Sequence, residues 1–129
     1  MGFRLKTSKK TKEYFDKLTA SSSLKPFALC KIAIALSLKE KAHIDTYISK
    51  DVSGMELQRS TVTGDLDIVY KSLLEMNLGR SFTSEDEYFP DYMKLHIDRG
   101  TELLYNRYMY AGSSLEKFLT SVLEKGDAI

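Results

Sequence analysis

The sequence holds no tryptophan, one cysteine, two prolines and two histidines among its 129 residues. Each scarcity removes a class of chemistry. A lone cysteine, Cys30, forms neither an intramolecular disulfide nor a cysteine-built zinc site, since both need partners. His43 and His96 stand far apart and show no metal-ligand spacing, and there is no glycine-rich phosphate loop or nucleophile motif. No apolar run reaches the roughly 18 residues of a membrane span. The longest, FALCKIAIALSL, contains Lys31 and lies well inside the chain, where a secretory signal would not. The expectation is a non-enzymatic cytoplasmic protein with no metal, no cofactor and no membrane contact.

What is present is an ordinary globular composition, 43% hydrophobic and 29% charged, with eight tyrosines and six phenylalanines. That length and composition fit one domain over residues 1–129. The formal charge is only +1, yet it is unevenly spread. Residues 1–41 carry ten Lys/Arg against three Asp/Glu, a net +7, and residues 42–129 carry nine against fifteen, a net −6. Such a division points to a basic portion that meets a polyanion, joined to a differently employed acidic remainder.

Hydrophobic periodicity places the charges. Phe3-Arg4-Leu5-Lys6 alternates as a short extended segment does, with Phe3 and Leu5 turned inward. Thr7 or Ser8 can cap a helix running to about Ala20, with Thr11, Tyr14, Phe15 and Leu18 as its inner stripe. SSS breaks it, and Pro26 suits the first position of a second helix that is apolar nearly all round through Leu38. Residues 39–53 read as a connection. Met55 and Leu57 alternate like a strand, before TVTGD opens a helical stretch. A third helix has Leu66, Val69, Tyr70, Leu73 and Leu74 as its inner face and Gly79 as its stop. RSFTSEDEYFP reads as a surface loop with an acidic tip at Glu85-Asp86-Glu87. A fourth helix runs from Pro90 to about Tyr108 with Met93, Ile97, Gly100 and Leu104 inward. Gly100 costs about 1 kcal/mol against alanine there, so a close backbone approach is its expected reason. Ser113 and Glu116 form a capping box for a last helix with Leu115, Phe118, Leu119 and Val122 inward. The fold class is mostly α: a compact bundle of about five helices with a short N-terminal extended segment.

The chemistry then rests on the basic third. Arg4, Lys6, Lys9, Lys10, Lys12, Lys17 and Lys25 are the candidate DNA-binding residues. Strand, helix, helix is also the order of ribbon–helix–helix DNA binders, in which paired strands enter the major groove. On that reading Arg4 and Lys6 point at base edges and Lys25 approaches phosphate. Sequence-independent phosphate contact by the same lysines needs only charge and position. A third reading makes the basic end a scaffold for an acidic partner protein. Cys30, on the apolar helix, reads as a buried structural thiol.

Three segments together carry a resemblance: LKPFALCKIAIALSL, GMELQRSTVTGDLDIVYKSLL and LHIDRGTELLYNR. In this order, over roughly residues 3–108, they resemble the small DndE family of DNA sulfur modification proteins. The resemblance implies a role in DNA phosphorothioation, in which sulfur replaces a non-bridging phosphate oxygen. Partner subunits would supply the sulfur, through a cysteine desulfurase, and the ATP-dependent activation. It further implies an oligomeric subunit that binds double-stranded DNA with a preference for nicked duplex. No catalytic residue is carried over. Arg59 and Arg99 lie in the resembling segments and are expected to cap or pair with neighbouring acids such as Asp98 and Glu102.

Overall fold

The computed structural model describes residues 3–111. Strand β1 (Arg4–Lys6) pairs antiparallel with β2 (Glu56–Gln58), with Leu5 opposite Leu57, Arg4 opposite Gln58 and Lys6 opposite Glu56. Period-two alternation buries Leu5 and Leu57 and leaves Arg4 and Lys6 outside. Phe3, expected inward beside Leu5, is 61% exposed. It precedes the strand and sits over a shallow cavity next to Arg59 and Thr63, beyond the cover of the core.

Helix α1 (Lys9–Ser22) starts at Ser8, whose hydroxyl accepts from the Thr11 N–H, and buries Thr11, Phe15 and Leu18. It ends where Ser23 takes a left-handed φ of 64°. The chain turns by 114° into α2 (Pro26–Lys39), which opens on Pro26 as its sequence implies. Leu29, Cys30, Ala33, Ile34 and Leu36 are all buried, so α2 is the central helix. After β2 come a single helical turn, α3 (Arg59–Val62), and then α4 (Asp67–Leu78), which Gly79 stops at φ 90°. The ribbon–helix–helix order is present, but the two-stranded ribbon is formed within the chain, by β1 and β2.

Helix α5 (Met93–Tyr110) lies along α2 and buries Met93, Ile97, Gly100, Leu104 and Tyr108. A Cβ on Gly100 would lie 1.8 Å from the carbonyl oxygen of Ala33. The glycine is therefore the point where the two backbones touch. One apolar cluster runs from Leu5 through Phe15, Ile34, Leu74 and Met93 to Tyr108.

Two expectations are corrected. The inner stripe assigned to α4 is largely outside: Leu74 is buried, but Leu66, Val69 and Leu73 are 54%, 51% and 40% exposed. Leu74 and Leu78 are the buried residues of α4, with Tyr70 packed partly against the core. The supposed surface loop before α5 buries Tyr88 and Phe89 completely. Its acids are tied down, Glu87 by Arg80 at 2.8 Å and Glu85 by Arg59 and Lys71, both at 3.0 Å. The expected last helix, with its Ser113–Glu116 capping box, lies outside the described residues.

Candidate nucleic-acid interface

Helix α1 carries most of the candidate cations. Thr11, Phe15 and Leu18 face the core, so Lys9, Lys10, Lys12 and Lys17 are left exposed. At 1.5 Å per residue the helix is about 21 Å long. Arg4 and Lys6 lie on the strand that leads into its N-terminus, and Lys25 lies past its C-terminus, exposed at the start of α2.

Their neighbours divide these seven residues. Arg4 is 3.5 Å from Glu56, Lys10 is 2.9 Å from Glu102 and Lys12 is 3.1 Å from Asp16. Glu102, by its hydrogen bond, holds the Lys10 ammonium above its ordinary pKa. Among the described residues, Lys6, Lys9, Lys17 and Lys25 have no carboxylate within ion-pair distance. Ion pairs this exposed are weak, typically under about 1 kcal/mol, so a phosphate can displace them.

An aromatic seam that no local pattern announces lies beneath these lysines. Tyr14 of α1 and Tyr105 of α5 stack with centroids 4.0 Å apart and planes 9° apart. The Lys10 ammonium lies 5.5 Å from the Tyr14 centroid and that of Lys17 lies 5.6 Å from the Tyr105 centroid. Cation–π contact restrains both long side chains without neutralising them. A tyrosine on each of two distant helices leaves no local pattern, which is why periodicity alone missed the pair.

The N-terminus of α1 is not available to an anion. The Ser8 N–H donates to Asp98 Oδ1 at 3.2 Å and the Lys9 N–H to Asp51 Oδ2 at 2.8 Å. The Ser53 hydroxyl and the Lys9 and Ser53 N–H groups hold Asp51 down at about 2. Asp98 also accepts from the Thr11 hydroxyl at 2.6 Å, from the Ser49 hydroxyl and from buried Lys94. Asp98 and Asp51 take two of the N–H groups there and the Ser8 hydroxyl a third, and the two carboxylate charges oppose a phosphate at the helix start.

Arg59 and Arg99 have structural partners, though not the expected acids. Arg59 binds Asp67 through Nε at 3.0 Å and Nη2 at 2.6 Å, and lies 5.0 Å from the Tyr88 ring centroid. Its hydrogen bond depresses Asp67 to about 2. Arg99 donates to the Ser37 hydroxyl and carbonyl and to the Ala42 carbonyl, closing the C-terminal end of α2. The Ser37 hydroxyl in turn lies 2.8 Å from His96 Nδ1. Burial, then the Arg99 charge, lowers His96 to about 3 and keeps the ring neutral.

Burial raises Cys30 to about 12, so the thiol stays protonated. His43 uses its ring on the Leu78 carbonyl and the Asp45 N–H. Among the described residues no group of three or more His, Cys, Asp or Glu could hold a metal ion. No single helix there is long and apolar enough to cross a membrane.

The profile of the family described as DNA sulphur modification protein DndE matches residues 4–111. Among solved structures, DndE from Escherichia coli B7A, involved in DNA phosphorothioation modification, aligns with a TM-score of 0.65 at 19% identity, over 81% of this chain and 97% of that one. A DndE mutant involved in DNA phosphorothioation, with two glycines replaced by lysine, gives a TM-score of 0.62 at 19% identity, over 82% and 99%. At this identity the likeness shows a shared fold. No curated protein matches the chain by sequence.

Proposed function

The chain belongs to the DndE family of DNA sulphur modification proteins, and from that premise we propose that it is the non-catalytic DNA-binding subunit of a DNA phosphorothioation system. It holds duplex, with nicked duplex preferred, through backbone contacts while partner subunits carry out the sulfur chemistry. The observation that carries this reading is the row of exposed lysines on and around α1, four of them without a carboxylate partner among the described residues.

Lys9, Lys17 and Lys25 make the main phosphate contacts. Lys10 and Lys12 join once their surface acids are displaced, and Arg4 and Lys6 assist from β1. A surface about 21 Å long spans roughly six phosphates of one strand at 3.4 Å each. Since side chains alone meet the phosphates, binding is insensitive to sequence. The exposed apolar arc of α4, with Ile68 and Met76 beside Leu66, Val69 and Leu73, supports assembly with further copies or with other subunits. A ribbon–helix–helix regulator is less favoured because β1 already pairs with β2.

Replacing Lys9, Lys17 and Lys25 together by glutamate tests the site. None of the three holds an internal ion pair, so the helical circular dichroism spectrum should stay unchanged. Affinity for duplex DNA should fall about 100-fold or more at low salt. A folded triple variant with undiminished affinity would refute the assignment.

A further inference from the structure

An antiparallel ladder uses alternate residues of a strand. In β1 the groups bonded toward β2 belong to Phe3, Leu5 and Thr7: Arg59 N–H donates to the Phe3 carbonyl, Leu5 pairs with Leu57, and Thr7 N–H donates to the Met55 carbonyl. The main-chain N–H and C=O of Arg4 and Lys6 therefore point the other way. Among the described residues nothing bonds to them. A cavity of about 350 Å³ lies against this part of the strand. Leu5, Val52 and Pro90 form its apolar wall, and three cations, Arg4, Lys6 and Lys94, stand at its rim with two acids, Glu56 and Asp91.

Unpaired strand groups beside an apolar recess are what strand addition requires. The groups on offer also select the ligand. Donors and acceptors alternate along the edge and repeat at roughly 6.8 Å, two residues of strand. Another polypeptide backbone matches that pattern, whereas a DNA backbone presents acceptors only.

A second copy of β1 is a poor occupant. In a two-fold antiparallel pair centred on Leu5, Arg4 of each copy would face Lys6 of the other, and like charges directly opposite are destabilising. Acids in those positions would pair instead, as Glu56 of β2 already does with Arg4 at 3.5 Å.

We propose that the outer edge of β1 docks an extended acidic segment of a partner protein. The segment forms a third strand, with acidic side chains beside Arg4 and Lys6 and an apolar side chain between them in the cavity. This goes beyond the DNA-binding reading and does not rest on it.

The test is selection of a random heptapeptide display library on the intact protein, followed by synthesis of the enriched sequence. The expected consensus alternates acidic and apolar residues. The synthetic peptide should protect the Arg4 and Lys6 amides from hydrogen exchange. Methylating its backbone amides in the register that faces β1 should weaken binding at least about tenfold, and methylating the alternate amides should not. Val52→Trp, which fills the recess, should weaken the peptide by a similar factor and leave DNA affinity and circular dichroism unchanged. Three results would overturn the proposal: no enriched consensus, equal binding in both methylation registers, or Arg4 and Lys6 amides already protected in a protein that sediments as a dimer. The last would assign the edge to a second copy.

Discussion

Gly100 shows how much one missing methyl group decides. In an exposed helix interior, alanine would be favoured over glycine by about 1 kcal/mol. At this site the added Cβ meets the Ala33 carbonyl at 1.8 Å, and main chain has no rotamer in which to retreat. Overpacking typically costs about 1–3 kcal/mol, and a contact this short with main chain lies toward the upper end, so the sign reverses. Gly100→Ala should lower the urea midpoint of unfolding clearly. An unchanged or higher midpoint would mean that α2 and α5 do not touch there. Glycine in the middle of an apolar helical pattern is a signal that sequence carries, and it was readable. The hydrogen bonds of Arg99 to the end of α2 were not, because partners 57 and 62 residues away leave no local trace.

At the scale of elements, the α1–α5 seam turns a set of flexible lysines into a surface. Lys10 and Lys17 lie against the stacked tyrosines, and Glu102 accepts hydrogen bonds from Lys10 and from the Tyr47 hydroxyl. A stacked aromatic pair adds about 0.5–1.5 kcal/mol beyond its area burial. A double-mutant cycle on Tyr14→Leu and Tyr105→Leu should return a coupling energy in that range, measured by denaturant unfolding. A coupling near zero would mean that the rings are neighbours without mutual support. The extents of α1, α2 and α4 followed from caps, proline and glycine, since these act within a turn of where they stand. The face of α4 did not follow. Periodicity tells which residues share a side of a helix, but whether anything covers that side depends on elements far along the chain.

At the scale of the molecule, the charge division along the sequence does not persist in space. Acids from the later segment lie among the cations of the first: Asp51 and Asp98 cap α1, Glu56 sits by Arg4, and Glu102 holds Lys10. The acidic portion thus positions the basic one and consumes part of its charge. What remains outward is a row of lysines with few acids of its own, the surface on which the proposed DNA contact rests. On that proposal partial neutralisation sets the scale of binding, because each phosphate neutralised releases close to one counterion.

The most direct test of DNA binding is a titration of the purified protein against intact and nicked duplex of one sequence, repeated across salt concentrations. With about five lysines engaged, log affinity should fall with log salt at a slope of roughly −4 to −5, with the nicked duplex bound more tightly. No binding at low salt, or an affinity indifferent to salt, would contradict the account and leave the lysine row to a protein partner.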